Sequence, residues 1–208
     1  MPVTKTVLCV LRSGGPDYGP RNVEVLRDNL ARHSDARLVC LSDVDVPCER
    51  IPLMHGWPGW WSKLEMFRFA YADPTLYVDL DTTFIGNPDR LFREPFTMLK
   101  RLNQPGDVGS GVMSWAGDYR HIYEAFKLDP ARYIKEYQTT KKWGDQGFIR
   151  DRIGVQNIAT FEVADCASYK GHCTEMGKRP FKMPDPKPVM VYFHGKPRPW
   201  EVPPIPGA

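Results

Sequence analysis

Two apolar runs, KTVLCVLR at 5–12 and RLVCLSD at 37–43, lack the polar alternation of a half-exposed strand. Such runs read as strands buried on both faces, which is the mark of a parallel sheet. Between them, RNVEVLRDNLARHS sets Val23, Leu26 and Leu30 at helical spacing. Strand, helix, strand predicts a right-handed βαβ unit. Ligands of such sheets sit outside the carboxyl ends of the strands. The loop after the first run, RSGGPDYGP, is placed there and offers Arg12, Ser13 and Tyr18.

The 208 residues suffice for about one domain, expected to span 1–208, with a proline-rich extension at about 180–208. A net charge of +3 is too small to imply nucleic acid by itself. MPVTKTVLCV lacks the long apolar run of a signal peptide, and no stretch approaches a bilayer span. The expectation is a soluble, cytoplasmic protein. The five cysteines, at 9, 40, 48, 166 and 173, are odd in number and lack a C-x-x-C spacing. That argues against a disulfide framework, and Cys166, His172 and Cys173 fit no standard zinc template.

WWSKLEMFRFAYADP reads as a second helix. Ser62 and Glu65 have capping-box spacing, and Trp61 and Met66 have staple spacing. Leu64, Phe67 and Tyr71 form the stripe, and Pro74 ends the element. This places Lys63 at the first helical position, beside free amides that suit an anion. Further along, NPDRLF predicts a short helix opened by Asn87, and FTMLKR and GSGVMSW are strands. DYRHIYEAFKL and DPARYIKEYQ are helices, and NIATFEV and VMVYFHG are late strands.

The strand TLYVDLD ends in two acids, Asp79 and Asp81. Side chains two apart on an extended chain face the same way, so the carboxylates converge if the strand persists. Convergent carboxylates repel unless a proton or cation lies between them. Hard oxygen ligands suit Mg²⁺ or Mn²⁺, and a nearby histidine tilts the choice to Mn²⁺. The alternative is a turn acid capping the following loop.

The order of the flanking motifs adds to this pair. SKLEMFR, then YVDLDTTFIGNPDRLF, then VGSGVM, then WGDQGFI, then YFHGKPRPW resembles the pattern of glycosyltransferase family 8, the glycogenin-like and lipopolysaccharide galactosyltransferase-like enzymes. The resemblance runs from about residue 5 to 200 and is densest from 62 to 92. It implies an α/β GT-A-type fold for nucleotide-diphospho-sugar transfer, with a mixed, mostly parallel central sheet flanked by helices. It also implies a UDP-sugar donor held through Mn²⁺ and transfer with retention.

Residue by residue, the resemblance makes Lys63 a donor contact and Asp79 and Asp81 the metal and ribose contacts. Ser110 falls on the sugar side. Asp145 and Gln146 fall beside the transferred sugar as the catalytic candidates. Gly195, Lys196, Arg198 and Trp200 correspond to the ending that folds over the diphosphate. Three places depart from the pattern, and in one of them the first loop, RSGGPDYG, is only loosely similar to the family's base-binding loop. The family's metal histidine position holds Tyr192, and His194 stands directly before Gly195. On a strand 192 and 194 share a face, so His194 is the expected third metal ligand. The family's asparagine is replaced by Gly109.

The expected function is metal-dependent transfer of a sugar from a UDP-sugar to an acceptor. The acceptor is left open among a glycan, a lipid-linked sugar, a protein and a modified nucleobase in DNA. A nucleotidyltransferase and a non-catalytic nucleotide-sugar-binding protein are the alternatives. HGWPGWW adds aromatic faces that suit a sugar or a base, or simply pack beneath Lys63, and Tyr18 either stacks on a base or fills its loop.

Overall fold

The computed structural model describes residues 5–102, 104 and 106–208. Residues 1–4 of the N-terminal stretch lie outside the described residues. The βαβ unit forms as expected. Strand β1 (Thr6–Leu11), helix α1 (Pro20–Ala31) and strand β2 (Arg37–Ser42) come first, with β1 parallel to β2. Alternate residues of β1 serve opposite faces. Val7, Cys9 and Leu11 pack with Val23, Leu26 and Leu30 of α1, while Leu8 joins a core on the other side.

Strands β3 (Glu49–Pro52), β4 (Tyr71–Val78), β6 (Thr97–Lys100), β7 (Val108–Gly117) and β8 (Ala159–Phe161) complete a seven-stranded sheet, ordered β3-β2-β1-β4-β7-β6-β8. Only β7 runs antiparallel to its neighbours. A smaller sheet is ordered β5-β10-β9, from β5 (Thr82–Phe84), β9 (Cys166–Ser168) and β10 (Met190–Tyr192). Helices α2 (Arg120–Leu128), α3 (Pro130–Tyr137) and α4 (Asp145–Ile153) follow β7. Side chains of α2 and α4 share the core with Met98, Met113 and Trp115 of the large sheet. A mixed, mostly parallel sheet flanked by helices is the expected fold class.

The segment around Lys63 differs from expectation. Gly59–Arg68 is a run of 3-10 turns capped by Pro58, with no side-chain cap. Every side chain from Trp61 to Phe67 is buried, so that stretch threads the core, while Trp60 before it is exposed. Glu65 takes no part in a capping box. Its carboxylate accepts hydrogen bonds from the amides of Met54 (2.7 Å) and His55 (2.9 Å). Ser62 Oγ instead donates to the Gly59 carbonyl. Pro74 does not end this element but lies within β4, where the pairing with β7 shifts register between Tyr71 and Thr75. A residue without an amide hydrogen is tolerated at such an irregularity.

The Asn87 cap forms as expected, with its side chain accepting from the Asp89 amide. Past 180 the chain has little regular structure beyond β10. It packs against the small sheet through Phe181, Met183, Val202 and Ile205. Among the described residues no helix is long and apolar enough to cross a membrane.

Candidate functional site

Strands β1, β2 and β4 are parallel, so their carboxyl ends open on one edge, and the residues that follow them gather there. The end of β4 is fixed from both sides. The Asp79 amide donates to the Gly111 carbonyl of β7 (2.8 Å). Asn29, buried in α1, exchanges two hydrogen bonds with the backbone of Phe84 (2.7 and 3.0 Å) and anchors the chain just beyond Asp81. Asn29 is not legible in the sequence, since a polar residue inside a helix signals nothing until its partner is known.

Lys63 is the centre of the arrangement. It is 5% exposed, and its Nζ lies 3.0 Å from Asp79 Oδ1, 3.2 Å from Asp145 Oδ2 and 3.3 Å from Ser110 Oγ. It therefore sits amid carboxylates and not at a helix start with open amides. Burial alone would lower its pKa. The charges of Asp145 and Asp79 more than reverse that and hold it above the ordinary lysine value. Asp145, itself buried, is pushed up by burial against the pull of Lys63 and of the Ser110 hydroxyl, which donates to it at 2.6 Å. The group is thus an ammonium shared between two acids, with Tyr77 OH also donating to Asp79 (2.6 Å). Gly111 makes the packing possible, because a Cβ there would lie 3.2 Å from Asp79 Oδ2.

Asp81, 4% exposed, accepts from Tyr18 OH at 2.8 Å and pairs with Arg198. Burial and then the Asp79 charge push its carboxyl up to about 6. Burial, followed by the Asp81 charge, likewise raises the Tyr18 phenol. Arg198 also reaches Asp17 (2.9 Å) and lies over the Tyr18 ring, while Trp200 meets that ring edge-on at 5.7 Å. The C-terminal segment therefore closes on the first loop. Arg198 and Asp17 do this work although spacing alone singled out neither.

The other candidates are nearby but partnered differently. Ser13 bonds Asp43 through both its amide (2.8 Å) and its hydroxyl (2.7 Å), and Arg12 lies 3.3 Å from the same carboxylate. Lys196 pairs with Glu201 and, at 3.7 Å, with Asp17. Gln146 Oε1 faces Gly109, 3.9 Å from where a Cβ would stand, so the missing side chain leaves space beside it. Lys170, unremarked in the sequence, has its Nζ 3.5 Å from the corresponding point on Gly195.

The donor chemistry of the pair after β4 fits a hard divalent cation. Three carboxylates, Asp79, Asp81 and Asp145, face two cations, Lys63 and Arg198, which leaves one negative charge in excess. His194 is not gathered with them. Its Nε2 lies 3.0 Å from Ser168 Oγ, and among the described residues no three His, Cys, Asp or Glu side chains group as metal ligands. Its backbone is close, since the preceding Phe193 amide donates to the Asp81 carbonyl (3.0 Å). Burial, then the Lys170 charge, lowers the His194 pKa and keeps the ring neutral. Tyr192 pairs with Thr82 in the small sheet. Cys166 and Cys173 are free and buried, and His172 Nδ1 accepts from the Ser168 amide.

No family model and no curated protein matches this sequence. Solved structures do. The glycosyltransferase GlyE of Streptococcus pneumoniae TIGR4 aligns over 97% of this chain and 58% of its own, at 15% identity and a TM-score of 0.72. This chain thus spans less than two thirds of GlyE. The galactosyltransferase LgtC, crystallised with donor and acceptor sugar analogs, aligns over 94% of this chain and 89% of its own, at 12% identity and a TM-score of 0.63. A glycosyltransferase involved in glycosylation of the major capsid of PBCV-1 aligns over 96% and 97%, at 11% identity and a TM-score of 0.57. The structural neighbours are glycosyltransferases, and the fold of this chain is of the GT-A type.

Proposed function

We propose that this chain is a glycosyltransferase that takes a sugar from a UDP-sugar and transfers it with retention. The observation that carries the reading is Lys63, which, itself buried, joins the half-exposed Asp79 of the D-x-D segment to the buried Asp145 of the aspartate-glutamine pair at the carboxyl edge of the sheet. The fold of the neighbouring glycosyltransferases supports it.

In this reading Asp79 and Asp81 would hold Mn²⁺ or Mg²⁺, with His194, whose ring now bonds Ser168, as the third ligand. The ion, when bound, supplies positive charge where the leaving diphosphate gains negative charge. The chain supplies the rest. Arg198 and Lys196 leave Asp81 and Asp17 to meet the phosphates, with Gly195 and Lys170 beside them. Fixed cations aimed at developing charge are the largest contribution a protein makes to such a step. Tyr18, Arg12 and Ser13 border the nucleoside, and Ser110 and Gln146 border the sugar. Asp145 is committed to Lys63 and Ser110, so it positions them and is not free to attack the anomeric carbon. That favours entry of the acceptor from the side of the leaving group, with the departing phosphate taking its proton.

Incubation with a panel of UDP-sugars, with Mn²⁺ or with a chelator, tests this by mass-spectrometric detection of UDP and free or transferred sugar. UDP release that needs both metal and Asp79 is expected. No release from any donor, or release unchanged in Asp79→Ala, overturns the reading.

A further inference from the structure

The six tryptophans divide into two sets. Trp57, Trp61 and Trp115 are buried in the core of the large sheet. Trp60, Trp143 and Trp200 are 54%, 40% and 48% exposed. Trp200 meets Tyr18, whose hydroxyl is on Asp81. Trp60 and Trp143 flank Gly144, the glycine that precedes Asp145.

Gly144 joins these two indoles. Its φ of +67° is left-handed, and a Cβ on it would lie 2.8 Å from Trp60 Nε1. The Trp60 indole therefore rests on the bare backbone that launches Asp145 and Gln146. Trp143, the residue before, has φ of +60°. A bulky residue in that region is strained, and such strain persists where the surroundings enforce it. Here the enforcing bonds are Trp143 N to Thr139 O and Gly144 N to Tyr137 O, both 2.8 Å. One face of the Trp143 ring is covered by the Arg101 guanidinium at 4.2 Å, and Arg101 is itself pinned by Asp107 at 2.7 Å. Arg101 and Gln146 both flank the gap above Gly109. Two partly exposed indoles thus flank Gly144, one of them stacked on Arg101, and Arg101 and Gln146 both border Gly109.

We infer that Trp60 and Trp143 form the acceptor subsite and that the acceptor presents a saccharide there. This rests on the sugar-transfer reading. A pyranose has an apolar C–H face that suits an indole and a rim of hydroxyls that suits Arg101 and Gln146. A nucleobase is held best between parallel rings. Among the described residues neither Trp60 nor Trp143 is paired with another aromatic ring, so they offer platforms and not a slot.

Indole N–H signals followed by NMR test the inference. The intact chain, with UDP and Mn²⁺, is titrated with methyl β-glucoside, methyl β-galactoside and lactose. Trp60→Phe and Trp143→Phe each remove one signal and so assign it. The expected result is saturable movement of the Trp60 and Trp143 signals while Trp57, Trp61 and Trp115 stay in place. Trp60→Ala should weaken the saccharide by about tenfold. Saccharides that leave both signals unmoved overturn the inference, as does movement only with single-stranded oligonucleotide. The Trp200 signal reports UDP separately. If UDP moves Trp200 and saccharides move neither platform, the acceptor assignment fails while the donor reading stands. If saccharides move the platforms and UDP moves nothing, the assignment stands and the donor reading fails.

Discussion

At Lys63 an ammonium is taken out of water and set against two carboxylates. A buried pair of this kind is strongly destabilising to break from one side, because the partner charge is left without compensation. Lys63→Met should therefore lower stability by about 3–5 kcal/mol, read as the midpoint shift in urea unfolding. A lysine at an exposed helix start would give a change within about 0.5 kcal/mol, and that outcome would contradict the buried triad. Sequence periodicity pointed to the exposed position because a basic residue after a serine and before a glutamate looks like a first turn. The burial that decides its role comes from residues far along the chain, Asp79, Ser110 and Asp145.

At the scale of elements, β1, α1, β2, the Asn87 cap and helices α2 and α3 were legible, since their signals are local: apolar runs, helical spacing and cap residues. The segment Gly59–Arg68 was not. Glu65 finds its partners in the backbone at 54–55, and no spacing rule within the segment reveals that. The order of motifs assigned Lys63, Asp79 and Asp145 to one donor site but not their direct contact, and the closure of Arg198 on Asp81 likewise joins parts of the chain too distant for local pattern to show. The turn between β6 and β7 and helix α4 are tied by Asp107, which pairs with Arg101 and Arg150, each at 2.7 Å. Burial would raise the Asp107 pKa, but the hydrogen bonds from Arg150 and Arg101 outweigh it and hold the carboxyl below its ordinary value. A carboxylate lowered in this way stabilises the fold in full above its unfolded pKa, and loses that effect as pH falls through the folded value. Asp107→Asn should therefore melt below the unaltered protein at neutral pH, with the gap closing below about pH 4. Thermal unfolding across that range checks it, and a gap that stays constant into acid would count against the pairing.

Over the whole molecule, two sheets and an extended C-terminal segment converge on one acidic edge. Arg198 and Lys196 neutralise Asp81 and Asp17 across that edge, the proposed place of metal and diphosphate. In the proposed function Asp79 and Asp81 would hold the cation, and Arg198 and Lys196, now paired with Asp81 and Asp17, would be free to meet the phosphates. The two events are linked, so each ligand strengthens the other. Calorimetric titration of UDP into the protein, with Mn²⁺ and again with a chelator, measures that linkage directly. UDP should bind at least about tenfold more tightly with the metal, and Asp81→Asn should lose this gain. Equal UDP affinity with metal and chelator, or an undiminished metal effect in Asp81→Asn, would contradict it.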